Sequence, residues 1–334
     1  MAHLADLVPV EMQLVAPHSW RTIEGVYVNN PFLGLGLVLL LLTTFSEAAP
    51  LRIVATTSLI ADVAAAVGGN DVEVTELIPR TVDPHAYEPT PRDMARLQNA
   101  DVIFANGLGL ESFLDRFLAV SGATHENKLV IVSAGRTPRT DEQHGKEITS
   151  HHDHGETDPH VWFDPTWVQL WVENITSALA ERDPEHASTY RSNAASYHNQ
   201  LSTLDGWIRK QFDAIQPQQR IIVTEHNELG YLADRYGVTV IGTLLPNFTA
   251  LTESSARSLA LLQKQMQDSG ARVVVVSYSA NSTMAERLAR DTGARVVRIY
   301  THSLAPIGSD ASNYLSFMSA TTTTLTDALR EEAP

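Results

Sequence analysis

Twice along the chain, short runs of β-branched residues alternate with helical stretches that end at glycine, and this alternation restricts the fold more than any other feature. Leu51 to Thr56 is an apolar, β-branched run, followed by Ser58 as a helix N-cap and an Ala- and Val-rich helix that stops at Gly68 and Gly69. Strands are then predicted at Val72–Ile78, Asp101–Ala105 and Leu129–Val132, with helices at Pro91–Gln98 and Leu110–Val120 between them. The second half repeats the pattern. Strands at Arg220–Thr224, Arg272–Val276 and Arg295–Ile299 alternate with helices that close at Gly237, Gly270 and Gly293, and Ala311–Leu329 forms a terminal helix. Strands separated by helices build mostly parallel sheets covered on both faces, so the expected class is α/β. Ligands of such sheets collect beyond the carboxyl ends of the strands.

Between the halves, one helix runs from Pro165 to about Glu181, and a second starts at Asp183, Pro184 and Glu185 and reaches about Phe212. Tyr190, Ala194, Tyr197, Leu201, Leu204 and Ile208 fall three or four apart along the second helix, which makes a single apolar stripe. At 1.5 Å per residue it would extend on the order of 40 Å, enough for a strut between halves. The stripe alone fits an ordinary long core helix equally well.

Histidine placement gives the chemistry. Asp83, Pro84, His85 recurs as Asp158, Pro159, His160, and each triplet lies in a loop past a predicted strand. His226 follows the Arg220–Thr224 strand, and His302 follows Arg295–Ile299. If the halves face each other, these four rings converge. Three or four imidazole nitrogens at about 2.0–2.1 Å suit Zn²⁺, whereas Mg²⁺ and Ca²⁺ want oxygen cages and manganese prefers more carboxylate. His144, His151, His152 and His154 occupy a polar stretch without hydrophobic period, so they are either solvated or bound to a cation.

Composition removes other classes. The chain has no cysteine, which excludes thiolate sites, disulfides and a lipidated cysteine. Its formal charge of -15 argues against a nucleic-acid partner. Gly107 and Gly109 lack the third glycine of a dinucleotide fingerprint. Phe32–Thr44 is apolar but well short of the roughly 20 residues that span a bilayer, and Ser46 to Pro50 resembles a signal-peptidase site, so export with cleavage near Ala48 or Ala49 is expected. The exported product would be periplasmic and soluble.

The motifs DPHAYEP at Asp83–Pro89 and DPHVWFDP at Asp158–Pro165, with Glu225-His226 before Gly230-Tyr231 and the Thr301-to-Met318 tail with Tyr314, resemble the solute-binding proteins of bacterial zinc and manganese ABC importers over roughly residues 50–330. The resemblance implies two Rossmann-like α/β lobes joined by a long rigid helix, with the metal between them and modest movement on binding. On that basis residues 1–49 would be the export segment, 50–183 the N-terminal lobe with a His-rich loop at 140–157, 184–214 the linking helix and 215–334 the C-terminal lobe. His85, His160 and His226 match the family's histidine positions. His302 stands where the family usually has Asp, so it is expected as fourth ligand, with Asp310 the alternative source of an oxygen. The loop carrying His144, His151, His152 and His154 resembles that of the zinc members and implies a metal-gathering accessory.

The expected function is therefore capture of Zn²⁺, with Mn²⁺ as the alternative substrate, by a monomeric, non-enzymatic receptor that hands it to a transmembrane ABC permease. A periplasmic metallochaperone is a further expected partner. The competing readings are a manganese receptor, a periplasmic zinc chaperone without a permease, and a zinc hydrolase that uses Glu225 or Glu228 as base.

Overall fold

The computed structural model describes residues 49–121, 127–140, 157–245 and 256–330. The expected export segment before Ala49 and the histidines at 144, 151, 152 and 154 lie outside these residues.

The first half runs β1 (Leu51–Ala55), α1 (Ser58–Gly68), β2 (Val72–Glu76), α2 (Pro91–Asn99), β3 (Val102–Ala105), α3 (Phe113–Ser121) and β4 (Leu129–Ile131). Next come α4 (Pro165–Arg182) and α5 (Ala187–Asp213). The second half follows as β5 (Ile221–Thr224), α6 (Gly230–Tyr236), β6 (Thr239–Thr243), α7 (Ala256–Ser269), β7 (Val273–Ser277), α8 (Thr283–Thr292), β8 (Arg295–Ile299) and α9 (Tyr314–Arg330). Each half holds a four-stranded, all-parallel sheet, in the orders β2-β1-β3-β4 and β6-β5-β7-β8. The two orders are the same winding repeated. In both sheets the order reverses next to the first strand, which is where an open α/β sheet forms its crevice.

Local chemistry explains the starts and stops. Thr57, not Ser58, caps α1: its hydroxyl accepts the Ile60 amide at 3.3 Å. Ser58 is the first helical residue, and its hydroxyl instead accepts the Leu304 amide at 2.8 Å from the second half. Thr90 and Asp93 form a reciprocal capping box on α2, with Pro91 in the first turn. Gly237 and Gly293 close α6 and α8 in the left-handed conformation.

β6 is absent from the sequence expectation. It is an edge strand with no fully buried residue, interrupted by Gly242, and its pairing with β5 shifts register, so its apolar alternation is weak. The terminal helix begins at Tyr314, three residues later than expected, because Ala305, Ser309 and Ser312 are bonded into the loop before it.

The α5 helix packs on α1 and α4 from the first half and on α6 and α9 from the second. Its predicted stripe is buried in full, from Tyr190 through Ala194, Tyr197, Leu201 and Leu204 to Ile208. Polar ties fix each end: Asn193 donates to the Val67 carbonyl at 3.0 Å, and Asp205 receives Arg235 at 2.6 Å and Tyr236 at 2.8 Å. One apolar cluster runs from Ile53 and Ala55 through Trp162, Trp171 and Leu201 to Ile299 and Phe317, so both halves share a core. The outward face of each sheet has its own smaller cluster. The strut reading and the core-helix reading of the stripe are thus both met by one helix.

Candidate metal centre

Both Asp-Pro-His triplets fold alike. The Asp83 carboxylate accepts the His85 amide at 2.9 Å, and Asp158 accepts the His160 amide at 3.0 Å. In such a turn the carboxylate bonds the amide two residues on and proline fixes φ between them, which aims the histidine away from its own loop. In the second triplet the same Asp158 oxygen also takes the His160 Nδ1–H at 2.9 Å. A carboxylate only accepts, so that ring carries its free lone pair on Nε2.

The second half delivers two rings from strand ends. His226 follows β5, where the Thr224 hydroxyl donates to its carbonyl at 2.8 Å. His302 follows β8 and is steadied by the Thr301 hydroxyl, 3.0 Å from its Nδ1. Its loop is fastened to the first half: the Trp162 indole donates to the Thr301 carbonyl at 2.8 Å, and Ser303 donates to the Arg80 carbonyl at 2.6 Å. Arg80 in turn donates to the Ala305 carbonyl at 2.6 Å.

The four rings meet. His85 Nε2 is 3.2 Å from His160 Nε2, and His226 Nε2 is 3.2 Å from His302 Nε2, with donor atoms of all four within 4.8 Å of one another. Nitrogens at about 2.1 Å from a tetrahedral ion stand about 3.4 Å apart, so these spacings fit a shell around one ion. His160 is fully buried, His226 and His302 nearly so, and His85 half-buried. Burial therefore holds the rings neutral. It pushes His160 down to about 3 and, with the His160 ring as a second cause, His85 down to about 4. His226 and His302 lie well below the ordinary imidazole value, first through burial and then through their neighbouring rings. Neutral imidazole is the form that ligates.

Asp310 does not join this group. It is exposed, in the loop before α9, among Tyr278, Arg298 and Tyr300. The acid close to the rings is Glu228, which the sequence reading treats only as a hydrolytic base. It is fully buried, with Oε2 3.6 Å from His226 Nε2 and 3.7 Å from His302 Nε2. Burial, and secondarily Glu225, raise its pKa well above the ordinary value. The available signal was a charged residue two positions past His226 and directly before buried Leu229, where a surface acid is out of place.

Asp158 gives a test of the site's support. Asp158→Asn keeps an acceptor but removes the charge that orients and strengthens His160, and metal affinity is expected to fall by about 10- to 100-fold in a competition titration.

Comparison with known proteins agrees with this geometry. The family model described as zinc-uptake complex component A, periplasmic (ZnuA), matches residues 53–328. The manganese-binding lipoprotein MntA of Halalkalibacterium halodurans is 29% identical over 289 residues, covering 86% of this chain and 91% of the relative. The iron-binding protein YfeA of Yersinia pestis is 29% identical over 276 residues, covering 82% and 85%. Among solved structures, a manganese-bound periplasmic metal binding protein of candidatus Liberibacter asiaticus superposes with a TM-score of 0.72 at 25% identity, covering 84% of this chain and 99% of that one. The periplasmic zinc binding protein TroA of Treponema pallidum shares the fold, with a TM-score of 0.74 at 24% identity and coverage of 85% and 100%.

Proposed function

The chain belongs to the family of the periplasmic component A of zinc-uptake complexes, the metal-binding solute receptors of ABC importers rather than enzymes, and from that premise we propose that it captures Zn²⁺ with His85, His160, His226 and His302. The observation that carries the reading is the meeting of two imidazoles from each half with paired Nε2 atoms 3.2 Å apart. Four nitrogen donors favour zinc over the harder dications. Manganese is the second reading, because relatives are named for manganese and for iron.

The ion is the cargo, passed to the membrane permease with which the family works. His144, His151, His152 and His154 act in this reading as a weaker gathering site. The receptor is exported and periplasmic. Relatives are named as lipoproteins, whereas this sequence holds no cysteine for a lipid, and no described helix is long and apolar enough to cross a membrane.

The test is a Zn²⁺ titration of the purified protein against a competing chelator. One ion bound tightly per chain, with that tight site lost when His85, His160 and His226 are all changed to alanine, is expected. No uptake, or equal affinity in the triple variant, contradicts the reading.

A further inference from the structure

Two carboxylates buried in this molecule are treated very differently. Glu111 receives the Thr56 hydroxyl at 2.6 Å and the amides of Asn106 and Gly107 at 2.8 and 2.9 Å. Glu228 is equally inaccessible, yet neither of its oxygens has a hydrogen bond of sound geometry, the Thr301 hydroxyl easing its charge without meeting that standard. A buried carboxylate is stable only when paired, hydrogen-bonded or bound to a cation, and an acid kept for the fold alone would be partnered as Glu111 is. Nearby Glu225 is so employed, since it accepts the Ser277 amide at 3.1 Å.

The unpartnered carboxylate faces the metal centre. Glu228 Oε2, His226 Nε2 and His302 Nε2 form a triangle with sides of 3.2, 3.6 and 3.7 Å. That is close to the about 3.4 Å edge expected of donors around one small ion. All three residues come from the second half, while His85 and His160 approach from the first. Four neutral imidazoles leave the whole charge of a dication uncompensated, and Glu228 is the acid placed to offset it. Carboxylate oxygen suits manganese and other hard dications, and two histidines with one carboxylate are the donor set of non-haem iron(II).

We propose that Glu228, with His226 and His302, supplies an oxygen-bearing face of the centre that is recruited by Mn²⁺ and Fe²⁺, whereas Zn²⁺ is satisfied by the four imidazoles. The proposal rests on the metal-receptor reading above and makes Glu228 the residue that sets how far the site admits harder ions.

The experiment compares Mn²⁺ and Zn²⁺ affinities of the full chain and of Glu228→Gln, each by competition with a chelator. Manganese electron paramagnetic resonance on the loaded proteins reports the change in donors. The amide keeps the shape and removes the charge, and Glu228→Met, similar in volume, is the second variant should the first misfold. Manganese affinity is expected to fall at least about tenfold more than zinc affinity, by analogy with the 10- to 100-fold cost of losing a supporting carboxylate. Equal losses for both ions, or no loss, in a variant whose parent binds one ion per chain overturn the role of Glu228 and leave the receptor reading intact. A parent protein that binds neither ion overturns both.

Discussion

Replacing His226 by alanine is expected to lower zinc affinity by more than about 100-fold while the metal-free protein still folds. The lower bound follows because a direct donor must be worth more than an outer-shell partner, whose loss costs about 10- to 100-fold. Folding should survive for a reason specific to this ring. His226 Nδ1 is buried and makes no hydrogen bond, so truncation removes a desolvated polar atom rather than breaking a pair. His160→Ala would confuse the two effects, because it strips the Nδ1 partner from Asp158. A chelator-competition titration and thermal unfolding of the metal-free variant measure the two parts separately, and an unchanged affinity would remove His226 from the site.

Acid should destabilise the metal-free protein more steeply than a protein with surface histidines. His85 is held down at about 4 and His160 at about 3, with His226 and His302 also well below the usual 6.5. Between those folded values and about 6.5, the unfolded chain binds protons that the folded chain refuses, so stability rises with pH across that window and is lost as pH falls through it. Each such ring contributes up to ~1.4 kcal/mol per pH unit. The buried acids with raised values, Glu228, Glu111, Glu225 and Asp62, have the opposite sign, because the folded state keeps their protons longer. They reduce the slope, and the four imidazoles set its direction between pH 5 and 6.5. Urea midpoints at pH 7 and pH 5 should therefore drop markedly for the metal-free protein. Zinc at a thousandfold excess over its dissociation constant should add ~4 kcal/mol at neutral pH. A midpoint independent of pH, or unaffected by zinc, contradicts a centre of buried neutral imidazoles.

Much of this was legible in the sequence because it rests on local pattern. The βα alternation with glycine stops, the stripe on α5 and the doubled Asp-Pro-His turn are each written in consecutive residues, and the histidines were placed by their position past strands. What escaped depends on tertiary surroundings. Thr57 and Ser58 are both sound caps in isolation, and only the neighbouring loop at Leu304 decides that Ser58 bonds across the halves. β6 could not be seen because an edge strand needs little apolar alternation. Asp310 and Glu228 show the limit most clearly. Asp310 lay at a plausible distance along the chain from His302 but sits on an exposed loop, whereas Glu228 reads as one more polar residue after His226 and is fully buried.

The most direct test is a crystal structure of the zinc-loaded protein with anomalous scattering recorded at the zinc edge. One ion at about 2.0–2.1 Å from the Nε2 atoms of His85, His160, His226 and His302 is the predicted result. A fully loaded protein with its ion held elsewhere, or by residues of one half alone, would contradict it.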